Sequence, residues 1–203
     1  MCGRYHFDDG RDSVESREIV EEVNRRSPGT PVKTEGESRP PDRVPVLARG
    51  RDLAPGYFAM QWGYTLPGGR RLINARSETA MDKPLFREGM LLRRCAVPAC
   101  HYCEWQRRGR ERTKYIIRSE DGNVFYMAGL YRLEQGKPVF VILTRAPAGQ
   151  IAFIHDRMPL ILSRDVLSQW IDPARAPEPI LKSALLSVVC RRADENVQLA
   201  MEV

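Results

Sequence analysis

Cys2 follows Met1 directly. Removal of Met1 leaves a thiol and a free α-amine on one residue, and that pair captures aldehydes. The amine condenses to a Schiff base, the thiol adds to the same carbon, and a five-membered thiazolidine closes. In model peptides the amine titrates at about 7.7–8.0 and the thiol at about 8.5, so reactive fractions of each are expected near neutrality. The same thiol also suits an amino-terminal nucleophile whose own amine serves as base. Alone, Cys2 is equally compatible with an arbitrary second residue, and three polar islands decide its weight. Ile73-Asn74-Ala75-Arg76-Ser77-Glu78-Thr79 is a polar stretch after an apolar pair. Tyr102-Cys103-Glu104-Trp105 sets a carboxylate between aromatic residues, where desolvation is expected to raise its pKa and suit it to acid–base work. Ile154-His155-Asp156-Arg157-Met158-Pro159 holds one of only 3 histidines, so a second proton carrier is available. Each has an ordinary use as well: Asn74 in a turn, Glu104 on a solvated strand face, His155 as a structural ring. Their combination with Cys2 is what points to chemistry.

A metal cluster is the competing use of the thiols. Cys95, Cys100 and Cys103 have the C-x4-C-x2-C spacing of plant-type ferredoxins, with Cys190 as a possible fourth ligand. That motif belongs in a loop, whereas Cys95-Ala96-Val97-Pro98 reads as a buried strand, and alternation points Cys100 and Cys103 to opposite faces. These cysteines read as small buried hydrophobes, and no metal or other cofactor is expected. Five cysteines, an odd number, fit free thiols in a reducing compartment better than a disulfide framework.

The elements that must carry these residues are mostly strands. One helix is expected from Ser13 to Arg26, capped by Asp12 with Glu15 at the capping-box position. Strands are expected at Val44–Ala48, Tyr57–Trp62, Cys95–Pro98 and Tyr102–Gln106. Thr113–Arg118 and Val124–Leu133 read as a hairpin across Glu120-Asp121-Gly122-Asn123, and Val139–Thr144 pairs back through Gln135-Gly136-Lys137. Short helices follow at about Arg164–Ile171 and Glu178–Leu186. The pattern predicts an α+β fold with a largely antiparallel, barrel-like sheet and a few short helices. At 203 residues the chain suits a single domain over 1–203, burying roughly 70 % of its unfolded surface. No run approaches the ~20 apolar residues of a membrane span. Arg4, Asp8, Asp9, Arg11 and Asp12 interrupt any signal sequence, so a cytoplasmic address and no membrane partner are expected.

Lys and Arg number 32 against 26 acidic residues, a net charge of +6, and 27 of the basic residues are arginine. Arginine forks onto phosphate with two parallel hydrogen bonds, which suits a polyanionic partner. A GC-rich genome would leave the same bias.

Cys2-Gly3-Arg4, Trp62-Gly63, Asn74-Ala75-Arg76-Ser77-Glu78-Thr79, Cys95-x-x-Pro98, Glu104-Trp105, Met127-Ala128-Gly129-Leu130, Thr144 and His155-Asp156-Arg157-Met158-Pro159, in this order, resemble the SRAP family of SOS response-associated peptidases and abasic-site processing proteins. The resemblance runs from Cys2 to about Trp170. It implies the SRAP fold, a sensor of abasic sites in single-stranded DNA, a covalent DNA–protein crosslink through Cys2 and self-release of Met1. It implies that Cys2, Asn74, Glu104 and His155 are catalytic. Cys2 supplies amine and thiol, Asn74 holds the sugar and the Cys2 backbone, Glu104 shuttles protons, and His155 assists opening of the sugar ring. It further implies that Arg4, Arg76 and Arg157 face phosphate or shape the pocket, that Trp62 stacks on an unpaired base, and that Thr144 belongs to the DNA-facing set. The implied partner is single-stranded or junction DNA carrying abasic sites, met by a monomer associated with the nucleoid. The chain departs from the family pattern at Glu37-Ser38-Arg39-Pro40, where the family has Asn-x-Ala-Pro, and at Cys103, where an aromatic residue usually precedes the glutamate.

Two other classes fit parts of the sequence. A class II amidotransferase-like amino-terminal-nucleophile hydrolase also starts Cys-Gly, but its Asn-Gly and Gly-Asp stretches are missing at suitable positions. A basic single-stranded-DNA-binding module would need no covalent step at all.

Overall fold

The computed structural model describes residues 2–7, 14–183 and 187–194. In chain order the elements are β1 (Arg4–His6), α1 (Val14–Arg26), β2 (Glu37–Ser38), β3 (Arg43–Arg49), β4 (Pro55–Trp62), β5 (Tyr64–Thr65), β6 (Arg71–Leu72), β7 (Asn74–Arg76) and α2 (Pro84–Leu92). Then come β8 (Arg94–Ala99), β9 (His101–Arg108), β10 (Glu111–Ser119), β11 (Phe125–Glu134), β12 (Lys137–Arg145), β13 (Met158–Pro159), β14 (Ile161–Leu162), α3 (Leu167–Trp170), α4 (Pro177–Lys182) and β15 (Val188–Arg192).

Strands β3, β4, β12, β11 and β8 close into a barrel, because β12 pairs with both β4 and β11 and β8 pairs with both β3 and β11. Closure leaves these strands no free edge. A second sheet runs in the order β15-β10-β9-β1-β2. The α+β, barrel-like expectation holds, with one qualification. The barrel closes through a parallel contact of β12 with β4, and β7 also lies parallel to β12.

Side-chain alternation sorts the core into two layers. Val44, Val46, Trp62, Cys95, Val97, Phe140 and Ile142 pack with Cys2 and Tyr5 in one cluster. Ala96, Ala128, Leu130, Val139, Val141 and Leu143 pack with residues of α2, α3 and α4 in the other. Strands β8, β11 and β12 are thus covered on both faces, which is why Val139–Leu143 is apolar without interruption. At Gly129 the strands come too close for a side chain: a Cβ there would sit 2.9 Å from the Val141 carbonyl and 3.0 Å from Cys95 Sγ.

Several expectations about elements are corrected. Strands β10 and β11 do not form a hairpin; β10 pairs with β9 and β15, and β11 with β8, β12 and β14. The tighter hairpin is β9–β10, where Arg108 faces Glu111 across Gly109, a residue at φ 60. The Glu120–Asn123 segment instead carries the chain from one sheet to the other, with Asp121 accepting from the Asn123 N–H at 3.0 Å. The β11–β12 turn forms as expected, with Gln135 and Gly136 both at positive φ. Glu15 accepts from the Tyr126 hydroxyl at 2.8 Å and pairs with Arg164, so it ties α1 to the barrel. The Asp12 cap and the Leu186 end of the last helix lie outside the described residues. Helix α2 escaped the sequence reading because apolar Leu85, Leu91 and Leu92 on its exposed side blur the stripe of Phe86 and Met90.

Not every arginine awaits an anion. Arg94 is buried, and its guanidinium donates to the carbonyls of Trp170 at 2.5 Å, Met90 at 2.5 Å and Arg175 at 2.8 Å, and to that of Asp172. It satisfies the carbonyl ends of α2 and α3 while lying 5.4 Å from the Trp170 ring centroid.

Candidate functional site

Asn74 begins the short strand β7, where pairing with β12 sets it opposite Ile142 and buries it. Its amide Nδ2 donates to the Cys2 carbonyl at 2.9 Å, a buried bond between residues 72 apart in sequence. Its Oδ1 is buried without a hydrogen-bond partner among the described residues. An amide with its donor engaged and its acceptor open is held by the Cys2 backbone and offers a lone pair to something else.

Cys2 itself is fully buried, and its Sγ lies 3.9 Å from the Arg4 carbonyl as a weak donor. Burial, and then the negative charge of Glu104, push this thiol far above the ordinary thiol range. The expectation of a reactive thiolate fraction near neutrality is therefore corrected. In this state Cys2 is a neutral, protected S–H.

Glu104 sits in β9, which runs antiparallel to β1 with Arg4 opposite Cys103. That pairing draws the segment leading into β1 alongside the Glu104 carboxylate. Glu104 is 6 % exposed, and its Oε1 accepts from the Trp105 N–H at 3.1 Å. It opens onto a cleft of about 550 Å³ that it shares with Trp105, Arg107, Arg112, His155 and Asp156. The alternative use of Glu104 on a solvated strand face is thereby excluded.

His155 occupies the loop before β13. Its Nδ1 accepts from the Arg157 N–H at 3.0 Å and lies 2.7 Å from Asp156 Oδ1. The first contact needs a bare Nδ1 and the second a proton on it, so the ring has a ready partner in either state. Asn74, Glu104 and Cys2 are thus drawn together, with His155 on the same cleft as Glu104.

The residues expected to face DNA divide. Arg4 is exposed, with its guanidinium on Glu37 at 2.7 Å and 5.3 Å from the Trp105 ring centroid. Arg76 is exposed. Trp62 is not available to a base: it is fully buried, donates to the Ile73 carbonyl at 3.0 Å and stacks 6.1 Å from Phe140. Thr144 is fully buried as well, its hydroxyl donating to the Ala75 carbonyl at 3.3 Å. Arg157 forks onto Glu78 at 2.8 and 2.7 Å and donates to the Thr144 carbonyl at 2.5 Å. Thr144, Glu78 and Arg157 therefore form a brace that fixes the His155 loop to β12, beside the strand that carries Asn74.

Arg107 and Arg112 were missed. They lie directly opposite each other across the β9–β10 ladder and line the cleft. Like charges at such a position repel. A juxtaposition of that kind is visible only once the strands are paired, and an anionic ligand would relieve it. Trp105 holds the middle of the same face, with Lys114 Nζ 5.5 Å from its ring centroid. The four cysteines weighed as a cluster are dispersed in role. Cys95 is buried under Gly129, Cys100 Sγ donates to the Phe7 carbonyl at 3.0 Å, and Cys190 lies in β15 opposite Ile117.

The architecture is that of a β-barrel protein whose Cys2 segment packs against a carboxylate-bearing, arginine-rimmed cleft. The chain belongs to the SRAP family: the family model described as SOS response associated peptidase (SRAP) matches residues 1–200. It is 33 % identical over 208 residues to the abasic site processing protein YoqW of Bacillus subtilis, covering 91 % of this chain and 86 % of that one. It is 31 % identical over 182 residues to the abasic site processing protein YedK of Escherichia coli, covering 84 % and 79 %. With the abasic site processing protein YoaM of Bacillus subtilis it shares 34 % identity over 139 residues, 63 % of this chain and 61 % of YoaM. Among solved structures, a phage-related protein from Bordetella bronchiseptica superposes with a TM-score of 0.73 at 24 % identity, covering 97 % of this chain and 96 % of that one. No helix among the described residues is long and apolar enough to cross a membrane.

Proposed function

We propose that this protein processes abasic sites in single-stranded or junction DNA by trapping the open-chain sugar aldehyde on Cys2. The observation that carries the reading is the Asn74–Cys2 clasp beside the Glu104 carboxylate. It holds the one residue able to present amine and thiol together next to a proton carrier.

While Met1 is attached, the Cys2 nitrogen is an amide and cannot condense. Hydrolysis of the Met1–Cys2 bond adds hydroxyl to the methionyl carbon and a proton to nitrogen, and Glu104, whose charge acts on Cys2, takes the role of activating that water. His155 then assists opening of the abasic hemiacetal: the C1 hydroxyl loses its proton, the bond from C1 to the ring oxygen breaks, and the ring oxygen takes a proton. The Cys2 amine adds to the aldehyde carbon and water leaves, giving the Schiff base. The Cys2 S–H adds across C=N, sulfur to carbon and proton to nitrogen, with Glu104 relaying that proton. A thiol kept neutral by its surroundings suits this last step, because the proton it carries is the one the nitrogen requires. The open Asn74 Oδ1 is available to a sugar hydroxyl. Arg107 and Arg112 meet the flanking phosphates, and the recessed position of Cys2 favours strands that can be splayed over strands held in a duplex.

The test is a denaturing gel of processed protein incubated with an abasic single-stranded oligonucleotide. A slowly migrating band that Cys2→Ala abolishes is expected. Retarded DNA on a native gel with no band surviving denaturation would mean a binding module. Ammonia released from glutamine would mean an amidotransferase.

A further inference from the structure

The β1–β9 ladder sets His6 directly opposite His101, and Cys103 follows His101 two residues on, so all three side chains leave the same face of the sheet. The two imidazoles stack with ring centroids 4.3 Å apart and an interplanar angle of 23°. One donor atom from each of His6, His101 and Cys103 lies within 4.8 Å of the others, and among the described residues no other group of three or more His, Cys, Asp or Glu converges in this way. The side chains are half-buried, half-buried and buried, so the set is recessed yet reachable from solvent. This is a different set from the cysteine spacing weighed in the sequence, of which it uses only Cys103.

We propose that His6, His101 and Cys103 form a binding site for a divalent transition-metal ion of the zinc class, with the fourth position left to solvent. Two imidazoles and a thiolate are a donor set that borderline-soft ions favour over Mg²⁺ or Ca²⁺. Ligand atoms at about 2.0–2.3 Å from a tetrahedral ion stand about 3.5 Å from one another, so modest side-chain rotation closes the set around it. On binding, the Cys103 S–H bond breaks, a sulfur–metal bond forms and the proton passes to solvent; the two imidazoles donate as neutral rings. No oxidant or reductant is involved.

The position gives the ion a role. β1 follows Cys2 by two residues, and Glu104 is the residue after Cys103. An ion held between the two strands would clamp the segment carrying Cys2 to the strand carrying Glu104, on the sheet face opposite to the Glu104 side chain. It would brace that pair without entering its chemistry. Glu37, which faces His6 from β2, is occupied by Arg4 at 2.7 Å and Lys114 at 2.9 Å, so it offsets those two cations and is not counted among the ligands.

The experiment uses Co²⁺ and Zn²⁺ as probes, without DNA, on the full chain carrying Cys2→Ala. That background removes the terminal aminothiol, itself a chelator, and makes the outcome independent of the crosslinking reading. The expected result is one Co²⁺ per chain with a thiolate-to-cobalt charge-transfer band, displaced by Zn²⁺, together with a melting temperature that rises with zinc concentration. His101→Ala should abolish binding, Cys103→Ser should abolish the charge-transfer band, and Cys190→Ser should leave both unchanged. Should either of the first two fail to fold, His6→Gln reads the same loss of binding. Absence of binding on the Cys2→Ala background, or binding that survives His101→Ala and His6→Gln, overturns the proposal.

Discussion

Asn74 Nδ2 donates to the Cys2 carbonyl at 2.9 Å, so Cys2 is anchored mainly by its backbone, its sulfur making only a weak contact with the Arg4 carbonyl. Such an anchor fixes where the Cys2 nitrogen and thiol stand while leaving both free to form new bonds. Asn74→Ala removes the donor and strands a buried carbonyl, a loss of about 1–3 kcal/mol. If that loss falls on the reactive geometry, the crosslinking rate in a gel time course should drop about tenfold or more. An unchanged rate would show that the clasp is structural only.

Glu104 is assigned two proton transfers, one in Met1 hydrolysis and one in ring closure. Glu104→Gln keeps the shape and removes the proton carrier, so crosslinking should slow by about 10²-fold or more, the usual scale of general acid–base catalysis. Intact mass gives a second reading. Glu104→Gln should retain Met1 where the wild type has lost it, whereas a housekeeping aminopeptidase would strip both equally. His155→Ala should slow crosslinking to a cyclic abasic sugar more than to an aldehyde already open.

The cleft arginines should carry the electrostatics of DNA binding. Arg107→Ala and Arg112→Ala should each weaken binding of undamaged single strands. Each should also lower the slope of log affinity against log salt by about 0.7, the value for one phosphate contact on a single strand. Trp62→Phe should leave that affinity unchanged and lower the melting temperature instead, since Trp62 is buried and bonded to the Ile73 carbonyl. Loss of affinity in Trp62→Phe with unchanged stability would restore the stacking role that burial denies it.

The brace behind His155 should make stability pH-dependent. Its hydrogen bonds to Arg157 hold the Glu78 carboxyl below the ordinary glutamate range, against the effect of partial burial. A lowered folded-state value means the contribution is complete above the unfolded value of about 4.3 and disappears as pH falls through the folded one. Melting curves of wild type and Glu78→Gln should therefore differ at pH 7 and converge on acidification. A difference that widens in acid contradicts the assignment. The pair is partly exposed, so the effect should also shrink in high salt.

Asn74, Glu104 and His155 stand out in the sequence as three short polar islands and Cys2 as the residue after Met1. The structure draws Asn74 and Glu104 toward Cys2 and places His155 on the Glu104 cleft. The barrel was readable from alternation and from turns such as Gln135-Gly136. What could not be read depended on pairings between distant strands. The β10–β11 hairpin failed because a local turn signal at Glu120–Asn123 says nothing about which sheet each flank joins. Residue type shows capacity for contact and not direction, so the sequence sets Trp62, Thr144 and Arg157 with the DNA. Instead, Trp62 and Thr144 are buried and Arg157 is committed to Glu78 and the Thr144 carbonyl. Arg107 and Arg112, five residues apart in a run of exposed arginines, stand out as a pair only once β9 and β10 are aligned. The state of the Cys2 thiol likewise follows from burial, which no two-residue motif encodes.

The most direct measurement is intact mass of the product formed with an abasic single-stranded oligonucleotide, followed by peptide mapping of the attachment point. Condensation releases one water and thiol addition releases nothing. The expected mass is therefore that of the chain without Met1, plus the oligonucleotide, minus one water, with the modification on Cys2. An adduct on any other residue, or one that forms undiminished in Cys2→Ala, would contradict capture by the terminal aminothiol.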